Sequence, residues 1–546
     1  MKYPITNFFT NIKYTKRSAL QLPALYLSLC CALTVSPILL ANPTINTNNG
    51  FNTAAAIVAP KNKLGRGLNF GGTMEAFEGG IEGGLVGDDA NSYTWGYPLK
   101  ADYFATIKKA GFQHVRLPIS WSMNKPPSMR YSTLTVAPYT ISSELFARVD
   151  WAVQQALKNG LAIIIDNHNP DDPIHKDPVA EEERFLSIWQ QIAEHYKNQP
   201  NSVYFELLNE PTSVLGQDPI LWNALLNKTL QVIRQTNPNR PIIVGGVSAN
   251  SAWTLPNLQL PKNDPNLIAT FHFYDPFSFT HQGASWVNPP LPTGVTWTGT
   301  TLRLVPGMTF GVWHEQTKWS LKPSNTLALN FTAWGGLYFS PYINLVGFNA
   351  LSFKTNKAGL RLGVLCNDPD TTPTEDYYTI TTLKGLRTYT VNFKDCAGSD
   401  VLRLLRIANY SDQPVTGVNL QDMALTGPLG RLPLVATELA QIQTAFDYVT
   451  AWAKLNNRPV HIGEFGTYEK SEGVGASAGK ARANWAKTMR QEAEKRGFSW
   501  SYWDFASGGE CNQQIGFGIY IRAINRPGDC IEPAKWKTHL LNALTR

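Results

Sequence analysis

The sequence predicts an α/β fold, a (β/α)8 TIM barrel with an all-β sandwich module inserted after barrel strand 6. From Leu64 onward, short β-branched or aromatic runs alternate with longer stretches of helical periodicity, which is the pattern of repeated βα units. Eight such units can be counted, and eight close a barrel. The alternation stops between about Thr298 and Pro428, where short runs separated by turn-prone residues predict a β-sandwich.

The eight predicted barrel strands are short runs of apolar residues, and a predicted helix follows nearly every one. The strands begin near Leu64, His114, Ala162, Val203, Pro241, Ile268, Pro459 and Ser499. In the second helix, apolar residues recur on one stripe from Leu145 to Ala156, and Gly160 follows. Such a stripe with a glycine after it is typical of an amphipathic helix that packs on a sheet.

The chain is expected to divide into a leader, a lead-in and two interleaved bodies. Residues 1–41 are predicted as a signal peptide, 42–63 as a flexible lead-in, 64–297 as the first part of the barrel, 298–428 as the inserted module and 429–546 as the second part of the barrel. Both ends of the module emerge from one loop on the C-terminal face. We therefore expect the module to overlook the mouth of the barrel.

The N-terminal segment has the features of a secretory signal. Four basic residues and no acidic residue accompany an apolar run from Ala19 to Ala41. Cleavage is predicted after Ala41, with an uncleaved N-terminal anchor as the alternative, and the mature protein is expected outside the cytoplasm. Loss of the leader lowers the formal charge from +7 to +3, too little to indicate a nucleic acid or an anionic membrane as a partner.

Four cysteines remain after the leader, an even number that suits export. Their spacing suggests disulfides between Cys366 and Cys396 and between Cys511 and Cys530, although three pairings are formally possible. No CxxC or HxxxH spacing accompanies them, so a zinc site is not expected.

Polar side chains concentrate at the ends of several predicted strands. Because the C-terminal ends of barrel strands converge on one mouth, the chemistry of such a fold is sought there. Two facing carboxylates, one with a raised pKa and one ionised, are the minimum apparatus for cleaving a glycosidic bond. A structural ion pair is the alternative for either Glu taken alone. The residues are Arg116 on strand two, Asn209 and Glu210 after strand four, His272 and Tyr274 on strand six, and Glu464 on strand seven.

Five ordered motifs resemble those of glycoside hydrolase family 5, the large retaining cellulase family of clan A, whose members are (β/α)8 barrels. They are HVRLPISW, the stretch ending in FELLNEP, FHFYDPFSFTHQGASW, HIGEFG and SYWDF. The resemblance covers roughly Lys63 to Trp297 and Leu432 to Arg546. It does not extend over the inserted module, so nothing is carried over to that stretch.

The resemblance implies the roles of the two carboxylates. Glu210 matches the family's acid/base, which protonates the leaving oxygen and later deprotonates the attacking water. Glu464 matches the nucleophile, and retention would place the two carboxyl groups about 5 Å apart. Arg116 and Tyr274 match residues that keep this nucleophile ionised and oriented. For Arg116, a purely structural role is the alternative.

The resemblance also implies a set of substrate contacts. Asn209 matches the residue that donates to the sugar 2-hydroxyl, and His272 matches an imidazole that contacts the acid/base or a neighbouring sugar. Trp503 matches an aromatic platform under the sugar, with a core Trp as the alternative. His168 matches the first His of a frequent pair, whereas Asn169 stands where the second often lies. The role of Asn169 is therefore open.

Two further groups of residues have open assignments. His281, Gln282 and Trp286 follow strand six and are candidate cleft residues, with loop packing as the alternative. The module segments VWHEQTKW and WGGLYFSPY are rich in aromatic residues. They suit a carbohydrate-binding face, a wall that widens the cleft, or the core of a structural appendage.

The resulting prediction is a secreted, monomeric, retaining hydrolase of internal β-1,4 linkages in cellulose or a related β-glucan, with no metal and no organic cofactor. On the same residues the family also accommodates β-mannanases, mixed-linkage or β-1,3-glucanases and exo-acting β-glucosidases. Transglycosylation shares the same glycosyl-enzyme intermediate. A non-catalytic polysaccharide-binding barrel is the alternative from another class, and the presence of both carboxylates argues against it.

Overall fold

A computed structural model describes most of the chain after the predicted lead-in. The described residues are 62–75, 97, 99–121, 137–304, 308–313, 317–341, 347–365, 379–385, 387–392, 404–469, 476–506, 516–521 and 534–546. The predicted signal peptide and every cysteine lie outside them. Among the described residues, no helix has both the length and the apolar character needed to span a membrane.

The first part of the barrel contributes six parallel strands and the helices between them. The strands are β1 (Arg66–Asn69), β2 (His114–Ile119), β3 (Ala162–Asn167), β4 (Val203–Glu206), β5 (Ile242–Gly245) and β6 (Leu267–His272). The helices are α1 (Ala101–Lys109), α2 (Ser143–Lys158), α3 (Glu182–Tyr196), α4 (Ser213–Gln217), α5 (Pro219–Arg234), α6 (Val247–Asn250) and α7 (Phe277–Thr280).

Helix α2 illustrates how the sequence produces these elements. The Ser142 hydroxyl accepts a hydrogen bond from the Glu144 N–H at 3.2 Å and caps the first turn. The predicted stripe from Leu145 to Ala156 is buried against the barrel. Gly160 follows the helix in the left-handed region at φ 65°, a conformation that glycine adopts without the strain that a Cβ would cause.

The inserted stretch folds into antiparallel strands. They are β7 (Leu302–Leu304), β8 (Met308–Trp313), β9 (Lys318–Lys322), β10 (Thr326–Phe331), β11 (Gly336–Pro341), β12 (Ala350–Thr355), β13 (Ala358–Leu365), β14 (Thr379–Lys384), β15 (Arg387–Asn392), β16 (Leu404–Ala408), β17 (Val415–Gly427), β18 (Gly430–Pro433) and β19 (Val435–Thr437). One sheet has the order β15-β12-β17-β10-β9, with β18 beside β17, and the other has the order β14-β13-β16-β11-β8. The inward faces of both sheets contribute to one apolar core, as the predicted sandwich requires.

The rest of the chain completes the barrel. It comprises α8 (Glu438–Leu455), β20 (Val460–Phe465), α9 (Ala476–Lys495), β21 (Ser499–Tyr502), the small hairpin-like pair β22 (Tyr520–Ile521) and β23 (Lys535–Trp536), and α10 (Thr538–Thr545). Strand β20 pairs in parallel with β6, and β21 pairs in parallel with β1. The closed order β1-β2-β3-β4-β5-β6-β20-β21 confirms the predicted (β/α)8 barrel with a β-sandwich module inserted after its sixth strand.

A two-stranded neck joins the module to the barrel. Strands β7 and β19 pair antiparallel, with Arg303 opposite Ala436. The buried Glu438 carboxylate, in the first turn of α8, accepts hydrogen bonds from the N–H groups of Thr298 and Gly299 at 3.1 and 3.0 Å. It also pairs with Arg303 at 2.8 Å. The entry and exit of the module are thus tied together at the start of α8.

The module also packs against the flank of the barrel. Phe348, between β11 and β12, stacks on Tyr448 of α8 with ring centroids 5.2 Å apart and planes inclined by 8°. Tyr448 in turn contacts Trp253, which lies in the segment after β5, at 5.4 Å between centroids. These contacts run along α8 and join the two bodies in one apolar core. The overhang of the module above the barrel mouth stays a prediction.

Candidate active site

A buried guanidinium group organises the polar interior of the barrel. Arg116 on β2 has no exposed surface, and it pairs with Asp166, Glu206 and Glu464 at 2.8, 2.7 and 2.8 Å. Burial alone would lower the pKa of Arg116, but its three carboxylate partners hold that pKa well above the usual range. A permanent positive charge therefore sits directly behind the barrel mouth.

Glu464 is held at both carboxylate oxygens. Oε1 accepts a hydrogen bond from Arg116 Nη1 at 2.8 Å, and Oε2 accepts one from the Tyr274 hydroxyl at 2.8 Å. Burial and the neighbouring carboxylates raise the pKa of Tyr274 well above its ordinary value, so this hydroxyl keeps its proton and acts as a donor. Both donors fix the orientation of the Glu464 carboxylate.

Glu210 has a different environment. It follows β4 and has about one third of its side chain exposed, 32% against 6% for Glu464. Loss of solvent raises the pKa of Glu210, and the nearby His168 and Arg116 oppose that rise only in part. Its Oε1 lies 2.7 Å from His272 Nδ1. The two glutamates therefore have unlike environments, since Glu464 is held by two donors and Glu210 by one imidazole.

The partners of His272 identify which ring nitrogen carries its proton. Burial lowers the pKa of His272 to about 4, so the ring is neutral near pH 7. The Asn250 amide nitrogen lies 3.5 Å from Nε2 and can only donate to it. Nδ1 then carries the proton and donates to Glu210 Oε1. The second oxygen of Glu210 remains available for a proton that is transferred to substrate.

His168, Asn209 and Trp503 form the adjoining wall. The Arg116 guanidinium donates to Asn209 Oδ1 at 2.8 Å, which turns the Asn209 amide nitrogen toward His168 Nε2 at 3.3 Å. The other nitrogen of His168 donates to Asp166 Oδ2 at 2.9 Å. Trp503, directly after β21, is partly exposed and stacks nearly parallel to His168 with centroids 5.7 Å apart.

All eight predicted site residues come together at the barrel mouth. One carboxylate oxygen of Glu210, one of Glu464 and a ring nitrogen of His272 lie within 4.8 Å of one another. Carboxyl groups about 5 Å apart suit direct attack by one of them, whereas separations of about 6.5–9.5 Å leave room for a water between them. This set of atoms also has the spacing of a possible metal site, although both oxygens of Glu464 are already engaged by Arg116 and Tyr274.

Sequence reasoning missed three residues of this network. Asn69 on β1 accepts from Arg116 Nη1 at 2.9 Å, and Asp166 and Glu206 are the buried partners described above. Burial raises the pKa of Asp166 to about 7 and also raises that of Glu206, against the pull of Arg116. The available signal was a charged residue inside an otherwise apolar strand, AIIID for β3 and VYFE for β4.

The three candidate cleft residues after β6 differ in their surroundings. The Gln282 amide bonds to the backbone of Phe279 and Val295, at 3.1 and 3.0 Å, so it holds a loop together. His281 stacks on Phe277 with centroids 4.0 Å apart and contacts Tyr274 edge to face. Trp286 is 49% exposed and packs against Tyr468.

Asn169 supports the backbone near the mouth. Its side-chain oxygen accepts from the Asp171 N–H at 3.1 Å. Its carbonyl lies 3.2 Å from His175 Nε2, and the other nitrogen of that ring accepts from the Thr212 N–H at 3.3 Å. His175 thus links the segment after β3 to the segment that follows Glu210.

An eight-stranded parallel barrel whose mouth holds two unlike carboxylates at this separation defines a glycoside hydrolase. A comparison with protein families agrees with that class. The model described as cellulase (glycosyl hydrolase family 5) matches residues 79–305 and 421–509, which together exceed half of the chain. The chain belongs to glycosyl hydrolase family 5. The stretch that the family model leaves out coincides with most of the sandwich module.

Similar proteins include two endoglucanases of Acetivibrio thermocellus. Endoglucanase H is 38% identical over 40% of this chain and 22% of its own length, and endoglucanase C is 32% identical over 33% and 52%. The chain thus matches about a fifth to a half of these relatives. Among solved structures, Thermotoga maritima Cel5A in complex with cellobiose has a TM-score of 0.51 and 26% identity, covering 88% of this chain and 97% of that one. The same enzyme has also been solved in complex with mannotriose, at a TM-score of 0.51.

Proposed function

We propose that this chain is an exported endo-β-1,4-glucanase that cleaves internal bonds of cellulose or a related β-glucan with retention of anomeric configuration. The observation that carries the proposal is the separation of at most 4.8 Å between a carboxylate oxygen of Glu210 and one of Glu464. That spacing favours a covalent glycosyl enzyme over a water held between the carboxylates. The unlike environments of the two groups support a division of roles.

In the first step Glu464 is the nucleophile. Arg116 and Tyr274 hold it in position and take up part of its negative charge, so both of its oxygens are pre-oriented before substrate arrives. Glu464 attacks the anomeric carbon while Glu210, whose pKa is raised by burial, gives its proton to the leaving glycosidic oxygen. The leaving sugar departs with that proton.

In the second step Glu210 acts as a base. As a carboxylate it removes a proton from water, and the water oxygen attacks the anomeric carbon and releases Glu464. His272 donates to Glu210 through Nδ1 and keeps the carboxyl group aligned in both steps. Asn209, fixed by Arg116, has a remaining N–H for the sugar 2-hydroxyl, and Trp503 offers its ring face to the sugar at the cleavage point.

The substrate class rests on the relatives, and export rests on the leader. Endoglucanases are the named activity of both Acetivibrio relatives, and the Thermotoga enzyme has been solved with cellobiose. A β-mannan is the second candidate because that same enzyme has been solved with mannotriose. Export is tested by N-terminal sequencing of the secreted protein, where a start after Ala41 is expected. A monomer is expected by light scattering.

The deciding experiment compares wild type with Glu464→Ala on carboxymethylcellulose, mixed-linkage β-glucan, mannan and laminarin. Wild type should lower the viscosity of a β-1,4-glucan faster than it releases reducing ends, and the first product should be the β-anomer by proton NMR. Glu464→Ala should lose nearly all turnover, whereas Glu182→Ala, a surface carboxylate paired with Lys228, should keep it. Added chelator should leave the rate unchanged if no metal takes part.

Other outcomes redirect the proposal in defined ways. A different preferred polymer revises the substrate alone, and an α-anomer as first product overturns retention. Hydrolysis by Glu464→Ala at a rate near that of wild type would show that Glu464 is not the nucleophile. A folded wild type that cuts no polymer and no short oligosaccharide supports a non-catalytic polysaccharide-binding role.

A further inference from the structure

The outward face of one module sheet carries an unusual set of residues. In the sheet β14-β13-β16-β11-β8, Leu337, Leu362 and Ile407 lie opposite one another and are buried in the sandwich core. Because side chains alternate along a strand, the neighbouring positions point away from the core. Two outward rows are Trp313, Gly336, Ala408 and Arg361, and then Gly311, Tyr338, Arg406 and Gly363.

Glycines in these rows let the aromatic rings lie flat on the sheet. A Cβ at Gly336 would overlap the Trp313 indole, and a Cβ at Gly311 would overlap the Tyr338 ring. Each ring therefore rests on the backbone of the neighbouring strand and turns its other face outward. Glycine inside a strand often marks such a close approach. Trp313 and Tyr338 are both partly exposed.

A third row continues the surface beyond the strand ends. Trp334 lies two residues before Gly336, and Tyr410 lies two residues after Ala408 on the paired strand. The backbone N–H of Trp334 donates to the Ser411 carbonyl at 3.1 Å. Trp334 is 49% exposed, yet its indole N–H donates to Asp412 at 2.8 Å and so has a fixed orientation.

Charged groups lie among the rings. The Arg361 guanidinium lies 4.9 Å from the centre of the Tyr410 ring, and that of Arg406 lies 5.8 Å from it. Arg361 is exposed. Stacked guanidinium groups keep their edge N–H donors directed sideways. The surface, here named the aromatic face, thus combines Trp313, Trp334, Tyr338 and Tyr410 with Arg361 and Arg406.

We propose that the aromatic face binds a segment of a β-glucan chain, at a site separate from the catalytic cleft. Pyranose rings of a β-linked glucan present flat C–H faces that stack on aromatic rings, and equatorial hydroxyl groups that accept from donors at the ring edge. Flat outward rings interspersed with arginine edges match both features. The identity of the ligand as a β-glucan rests on the proposed function, whereas the binding site itself rests on the module.

The test uses the full chain carrying Glu464→Ala, so that the polymer stays intact. Its migration in native gels containing soluble β-glucan reports retention by the polymer. Adding Trp334→Ala should weaken retention about tenfold, since a buried aromatic contact contributes on the order of 1.4 kcal/mol at a binding surface. Arg361→Ala, which removes an exposed guanidinium group from the aromatic face, should weaken it in the same direction.

Trp319 provides a matched control. It lies in β9 of the other sheet, is 44% exposed and packs edge to face on Phe310 at 4.9 Å. Trp319→Ala should leave retention unchanged. Equal retention of all variants overturns the proposal, and so does self-association in gels without polymer that Trp334→Ala abolishes, because the face would then bind a second copy of this chain.

A second readout separates this proposal from the catalytic one. In the active chain, Trp334→Ala should leave kcat/KM on a short soluble oligosaccharide unchanged and lower the rate on polymer. If Glu464→Ala abolishes hydrolysis while Trp334→Ala leaves polymer retention unaltered, only the aromatic face is refuted. If wild type cuts nothing but retention depends on Trp334, only the catalytic proposal fails.

Discussion

Replacing Arg116 with Met should destabilise the fold far more than an ordinary loss of an ion pair. Met is uncharged and shorter than Arg, so it leaves Asp166, Glu206 and Glu464 without their shared cation. Asp166 and Glu206 have no exposed side-chain surface in this site. Removing one partner of a buried pair typically costs about 3–5 kcal/mol because a buried charge is left uncompensated. We expect a loss in that range in the free energy of unfolding.

The sign of the pH dependence follows from the carboxyl groups. The pKa of Asp166 is about 7 in the folded chain against 3.8 for an ordinary Asp. A carboxyl group with a raised folded pKa favours folding below its unfolded pKa, and that contribution is lost as pH rises through the folded value. Without Arg116 the folded pKa rises further, so Arg116→Met should lose stability more steeply than wild type between about pH 4 and 8.

Chemical denaturation at pH 5 and pH 8 measures both effects. Lys228→Met is the matched control, because Lys228 pairs with Glu182 at the surface with 52% of its side chain exposed. Such exposed pairs contribute about 0–1 kcal/mol. The reasoning is refuted if Arg116→Met loses no more than the control, or if its loss is the same at both pH values.

Two further predictions concern titration. Glu210 must be protonated to act as an acid, so kcat/KM should fall as pH rises through its raised pKa. Glu210→Gln should lower the rate about 10²–10⁴-fold on substrates with poor leaving groups, and its pH profile should lack this fall at alkaline pH. A Glu210→Gln profile that keeps the fall would contradict the role of Glu210 as the acid. Burial lowers the pKa of His114 from 6.5 to about 4, so the folded protein holds this ring neutral. The resulting stability is fully present above pH 6.5 and is lost as pH falls toward 4. The difference in melting temperature between pH 7 and pH 5 should therefore be smaller in His114→Asn than in wild type, and an equal difference would contradict this role of His114.

The barrel could be predicted from the sequence because each of its strands and helices has a recognisable pattern within its own segment of the chain. Strand β3 is a mainly apolar run between Gly160 and His168, and α2 has the apolar stripe and the following glycine that the sequence predicts. The two glutamates of the site follow from strand ends for a similar reason. Their positions relative to the strands are fixed by chain order, and the closure of the barrel brings the ends together.

The buried partners of Arg116 were not predictable in the same way. Asp166 and Glu206 lie on different strands, and only the register of the closed sheet, with Asp166 opposite Glu206, brings them to one cation. The orientation of the module is a second example. It involves the contact of Phe348 with Tyr448, two residues far apart in the chain, and no local pattern encodes such a pairing.

The neck formed by β7 and β19 makes this barrel a natural host for grafted domains. Paired antiparallel strands hold the entering and leaving chain about 5 Å apart, so any guest whose termini are adjacent could be spliced in there without altering the distance that the barrel must span. Glu438 would keep its hydrogen bonds to Thr298 and Gly299 and its ion pair with Arg303, because none of these residues belongs to the guest. Tyr448 would require a replacement neighbour, because the present guest covers its ring.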